Sequence, residues 1–209
     1  MNTSPTTSVF EVNRPLAFAL LCAISFLLLF IKKNFIEYET AAFEFLQDRP
    51  EGTVLRLLSA LQFVSIPLVY AWKFTVIGFV LWMGCFLFGF RISFAQCWGI
   101  VLLAEFVFVI PEIIRIAWFL WVETDPALSD IGRFYPLSLM HFFDYYAIDP
   151  RFAYPLRSVN LFEIGYVFTL VQGVHFFARR DKQHAWWIVS CSYVLVFVLW
   201  LVFYMVVYK

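Results

Sequence analysis

Charge is scarce in this chain. Only 14% of its 209 residues are Asp, Glu, Lys or Arg, and 15 basic against 15 acidic side chains give a formal net charge of zero. A soluble domain typically carries about 25% charged residues, so an ordinary water-facing surface is excluded. The balanced charge gives no global field for nucleic acid, and no basic stretch interleaved with aromatics offers a nucleic-acid surface. Cysteine is sparse too: Cys22, Cys85, Cys97 and Cys191 lie in or at the edge of apolar stretches, without CxxC spacing. They read as packed or lipid-buried thiols. There is no HExxH zinc motif, no GxSxG elbow and no Walker loop, and no cofactor or metal is expected.

What fills the chain instead is apolar. Hydrophobic residues make up 63% and aromatics 22%, and the mean hydropathy is +0.81. A chain this short has too little interior to hide so many large side chains from water, so lipid must cover the excess. The expected fold is an all-α membrane protein, a polytopic bundle of about five transmembrane helices with an amphipathic interfacial helix. Residues 1–14 form an N-terminal tail and 15–209 a single transmembrane domain.

A spanning helix needs about 20 apolar residues, because its backbone polar groups must all be satisfied internally. The expected spans are 15–31, 68–90, 94–122, 158–178 and 185–208. The first is a retained helix rather than a cleaved signal peptide: Glu11 accompanies Arg14 before it, and Lys32-Lys33 follow instead of a cleavage site. Residues 34–48 set Phe35, Tyr38, Phe45 and Leu46 against Glu37, Glu39, Glu44 and Asp48, as an amphipathic surface helix would. Residues 49–52 then break the chain. No loop signal interrupts 54–90, which reads as one long helix kinked at Pro67, its first part interfacial or packed against protein. Ser93 is placed to cap the next helix, which carries Pro111 and an interfacial belt of Trp118 and Trp121. Residues 123–157 form the one extended loop. In it Tyr135-Pro136-Leu137 and Phe142-Phe143-Asp144 are echoed by Tyr154-Pro155-Leu156 and Leu161-Phe162-Glu163 at the same offsets. Either the first copy opens a short interfacial or re-entrant helix, or the likeness is chance in aromatic-rich sequence. Arg91, Arg179, Arg180 and Lys182 crowd short connections on the side of the N-terminus, so that side is expected in the cytoplasm.

Ionisable groups at membrane depth are the best pointers to function. Glu105 and Glu112 are a heptad apart and share one helix face. Glu112 and Arg115, spaced i, i+3, can pair, either buried in the bundle or near the interface where water reaches them. Pro111 frees a carbonyl one turn back, and transporters bind ions or protons beside such broken helices. Lys73, the cation within the second span, faces three fates: pairing with Glu105, pairing with Glu112, or snorkelling to the interface. Glu163 and His175 lie about 18 Å apart along one helix at 1.5 Å per residue, too far to share a metal. The candidate polar cluster is therefore Lys73, Glu105, Glu112, Arg115 and Glu163. No residue is assigned a catalytic role. Glu112-Ile113-Ile114-Arg115 lacks the second glutamate and the histidine motif of intramembrane prenyl-protein proteases, and Ser190, Ser192 and Tyr193 have no base at a plausible spacing.

A long helix ends at Phe88-Gly89-Phe90-Arg91-Ile92, Ser93-Phe94-Ala95-Gln96 starts the next one towards Pro111, and Asn160-Leu161-Phe162-Glu163 opens a later span. This order resembles the Yip1-like domain family, in its bacterial branch of small five-helix membrane proteins. The resemblance runs from about Leu68 to the C-terminus. It implies a five-helix fold with a cytoplasmic N-terminus in a bacterial inner membrane. The acidic signature that goes with binding of prenylated GTPases in that family is missing here. The expected function is a non-enzymatic subunit or organiser of a membrane complex, with the lipid bilayer and other membrane proteins as partners. The alternative is a small transporter or permease component using the charges of the second and third spans.

Overall fold

The computed structural model describes residues 10, 12–37, 50–122, 130–131, 134–143, 148–179 and 181–208. Among them the fold is all-helical. Helix α1 (Arg14–Lys32) opens with Pro15 in its first turn, where a missing N–H costs nothing, and is prolonged by a π-helical turn, Lys33–Glu37. The start of the expected surface helix thus belongs to the end of α1, and its remainder, 38–48, lies outside the described residues. Helix α2 (Pro50–Leu87) has 38 residues and runs through Pro67 without interruption. Pro50 therefore starts a helix rather than breaking the chain, as its preset φ suits a first helical position.

Two caps join α2 to α3. The Phe90 N–H donates to the Cys85 carbonyl at 2.8 Å and the Gly89 N–H to the Phe86 carbonyl at 3.0 Å, with Gly89 at φ 77°. This is a Schellman turn, which favours glycine at the left-handed position. Ser93 Oγ then accepts from the Gln96 N–H, and Gln96 Oε1 accepts from the Ser93 N–H at 2.8 Å. Such a reciprocal cap is worth about 1 kcal/mol. Ser93→Ala is expected to lower the melting temperature in detergent by a few degrees, and an unchanged melt would show that the cap is idle.

Helix α3 comes in two parts, Phe94–Glu105 and Val109–Trp121, separated by a 3-10 turn at Phe106–Phe108. Pro111 explains the break, since it has no N–H for the Val107 carbonyl. After the loop come a short α4 (Pro150–Ser158) and the longer α5 (Leu161–Ala178). Helix α6 comprises Lys182–Val189 and Leu195–Val207 around a π-helical turn, Ser190–Val194. Among the described residues four helical runs are long and apolar enough to cross a membrane: Arg14–Ile36, Ala60–Leu87, Leu161–Ala178 and Lys182–Val207. The fifth expected span, 94–122, is α3, whose two parts reach that length only together.

The repeated motif takes two different shapes. Its first copy leads into one 3-10 turn, Leu139–Phe142, far too short to dip into a membrane and return. Tyr154-Pro155-Leu156 sits inside α4, and the spanning helix begins only at Leu161. An isolated antiparallel bridge, Ser138 to Asn160, ties the copies together.

The first part of α3 is the axis of the bundle. Its Cys97, Ile100, Val101, Leu102 and Ala104 are buried against α1, α2 and α5, with Leu21, Phe74, Tyr166 and Leu170 among the buried neighbours. Small residues bring backbones together: a Cβ at Gly84 would lie 2.5 Å from Ser192 Cβ, and one at Gly173 2.5 Å from Ile100 Cγ2. Large apolar side chains such as Leu27, Phe30, Phe79, Phe168 and Phe203 point outward. Water would strip such a surface of its stability, whereas acyl chains solvate it. The protein is an integral membrane protein. Phe10 stacks on Phe176 and Phe90 meets His184 at one end of the bundle. The last turns of α1 and α3 and the start of α5 lie at the other.

Candidate functional site

Four helices contribute to a polar cluster inside the bundle. Lys73 on α2 donates from Nζ to Glu105 Oε1 on α3 at 2.7 Å, and its ammonium lies 4.9 Å from the centre of the Phe108 ring. Glu105 is 4% exposed, and its second oxygen has no hydrogen-bond partner among the described residues. Glu163, in the first turn of α5, accepts from Tyr193 Oη on α6 at 2.7 Å. Tyr166 is fully buried and its hydroxyl likewise has no partner among the described residues. Its ring is 5.2 Å from those of Phe108 and Tyr193. These three rings form a continuous aromatic wall from Lys73 at one end to Glu163 at the other.

Glu112 and Arg115 pair on one face of α3 at 2.5 Å. They line two cavities at once. The larger, about 340 Å³, is also lined by Tyr135, Arg157, Asn160 and Glu163. The smaller, about 250 Å³, is lined by Ser25, Lys32 and Tyr70, with Ser25 and Tyr70 hydroxyls hydrogen-bonded at 2.8 Å. In the larger cavity the guanidinium groups of Arg115 and Arg157 lie 5.9 and 4.5 Å from the Tyr135 ring centre, a cation–π arrangement.

Of the three fates open to Lys73, pairing with Glu105 is the one adopted. Glu105 and Glu112, a heptad apart, differ in burial: Glu105 is 4% exposed and paired with Lys73, while Glu112 is 44% exposed on the cavities. Glu163 and His175 sit at opposite ends of α5 and do not meet. Asn160 caps α5, its side chain accepting from the Glu163 N–H at 2.8 Å. Ser192 Oγ donates to the Ile188 carbonyl at 2.6 Å, a local bond within its own helix. Among the described residues no group of three or more His, Cys, Asp or Glu side chains is placed to hold a metal. Cys22, Cys85 and Cys97 are buried free thiols and Cys191 is exposed on α6.

Tyr166 and Tyr193 were not among the candidates read from the sequence. Tyr166 was within reach, being i+3 from Glu163 on the same helix face. Tyr193 is 30 residues away, and only the packing of α6 against α5 brings it in. No family model, curated protein or solved structure matches this chain.

Proposed function

We propose that the protein is a small transporter or permease component, with Lys73, Glu105, Glu112 and Arg115 along the path of a small polar or charged solute. One observation carries this reading: the Glu112–Arg115 pair is a shared wall between two cavities, and the larger of them reaches Glu163 in the polar cluster. Ionisable groups inside a membrane are costly, and they persist where they line a pathway. Uptake of a labelled panel of amino acids and small organic ions into proteoliposomes tests it. Glu105→Gln and Glu112→Gln are each expected to abolish uptake. Normal uptake by both variants, or no uptake by the wild type, sinks the reading. The exposed Arg91, Arg179 and Lys182 support placing that end of the bundle in the cytoplasm.

A second reading, a non-enzymatic Yip1-like subunit or organiser of a membrane complex, is favoured by the length of α2. Its 38 residues rise about 57 Å against a hydrocarbon core of about 30 Å. Leu57, Leu58, Leu61 and Val64 are all more than half exposed on its early turns. Co-purification of a partner in mild detergent tests this reading, and a clean monomer counts against it.

A further inference from the structure

We propose that the larger cavity binds an amino acid as its zwitterion, with the α-ammonium on Glu112, the α-carboxylate on Arg115 and an aromatic or other apolar side chain on a wall of phenylalanines. This deepens the carrier reading, on which it rests for the solute's passage, by naming the substrate class. Occupancy of the cavity stands without transport.

The charged wall sets the class. Glu112 and Arg115 are one turn apart on α3, bonded to each other at 2.5 Å, and both line the cavity. Glu112 is 44% exposed there, so its carboxylate has open acceptor surface. A guanidinium carries five N–H donors, and the bond to Glu112 uses Nη2. A solute anion seated on Arg115 lies beside the Glu112 carboxylate, and a solute cation seated on Glu112 lies beside the guanidinium. Like charges that close repel. A solute with both charges on one carbon atom meets each with the right sign. The other ionisable groups on the cavity repeat the pattern. Glu163 of α5 accepts from Tyr193, and the Arg157 guanidinium of α4 lies against the Tyr135 ring. A singly charged solute therefore meets a like charge on that side too.

Rings supply the rest. Phe108, Phe162 and Phe197 line the same cavity. Phe108 is four residues before Glu112, and Phe197 stacks on Tyr193 with ring centres 6.2 Å apart. An amino acid held by its head on the Glu112–Arg115 pair thus has an aromatic face for its side chain, where burying an apolar group is favourable. At about 340 Å³ the cavity is near the lower end of ligand pockets, about 300–1,000 Å³. That suits one small solute and leaves no room for a peptide.

The test is equilibrium binding of radiolabelled L-phenylalanine to the full chain in lipid nanodiscs, with three competitors. 3-Phenylpropionate lacks the ammonium, phenethylamine lacks the carboxylate and glycine lacks the ring. Each should compete about tenfold or more weakly than unlabelled phenylalanine, since each forfeits one set of contacts. Glu112→Gln should weaken phenylalanine about tenfold and leave 3-phenylpropionate bound at least as well as before. No phenylalanine binding overturns the proposal. So does any of the three competitors matching phenylalanine, or Glu112→Gln binding it like the wild type. If Glu112→Gln does not fold, the competition series on the wild type decides alone. Binding without uptake into proteoliposomes would defeat the carrier reading only, and uptake of other solutes without phenylalanine binding would defeat the zwitterion only.

Discussion

Lys73→Met is expected to destabilise the protein by about 3 kcal/mol or more, while the double variant Lys73→Met with Glu105→Leu recovers most of that loss. The asymmetry follows from burial. Glu105 is 4% exposed and Lys73 36%, so removing the lysine strands a charge that cannot reach water. Exposed ion pairs are worth only about 0–1 kcal/mol, and interhelical hydrogen bonds in membranes average about 0.6 kcal/mol. Neither is large enough to produce the expected loss; stranding a buried charge is. Removing both partners replaces polar groups by apolar ones of similar size, often near neutral. Unfolding in mixed detergent micelles measures both. A single variant as stable as the double would mean that the pair contributes nothing.

The second large effect is steric. Gly84→Leu should cost about 3 kcal/mol or more, the upper range for overpacking, with Gly84→Ala losing a smaller amount. The first side-chain carbon alone would lie 2.5 Å from Ser192 Cβ and 2.8 Å from Ser192 Oγ. Ser192 is within a π-helical turn whose hydroxyl is already bonded to Ile188, so it has little freedom to withdraw. Small residues are what let membrane helices approach closely. Gly89→Ala is the informative contrast. Nothing lies within 4 Å of a Cβ there, yet φ is 77°, so only backbone strain of about 1–2 kcal/mol is expected. Equal losses at the two glycines would show that α2 does not press on α6 as described.

Much of the helix inventory was legible because lipid demands long apolar segments and the caps are written in local sequence. Ser93 with Gln96, and Asn160 at the head of α5, are signals carried within four residues. The Glu112–Arg115 pair was legible for the same reason. Lys73 stayed open between Glu105, Glu112 and the interface, because which of them it meets depends on how α2 packs on α3. The different burial of Glu105 and Glu112 was not legible, because heptad spacing says nothing of which turn faces a cavity. The long reading of 54–90 as a single helix needed extension to Pro50 at one end and shortening to Leu87 at the other. Tyr193 was weighed and set aside for want of a base near it in the sequence, and its partner Glu163 stands 30 residues away. In a chain with 10 tyrosines and 27 phenylalanines, one ring at the start of a bundle contact has no mark that distinguishes it from lipid-facing neighbours. The cavities are products of how α3 meets α4 and α5 on one side and α1 and α2 on the other, which no local pattern encodes.

The reversal at Arg179 has a consequence for biogenesis. α5 ends at Ala178, Arg179 adopts a left-handed φ of 51°, and α6 starts at Lys182. A linker of three residues reaches at most about 11 Å, less than the thickness of the bilayer. The C-terminus of α5 and the N-terminus of α6 must therefore stay on the same side of the membrane throughout insertion, and the two helices fold back on each other as an antiparallel hairpin.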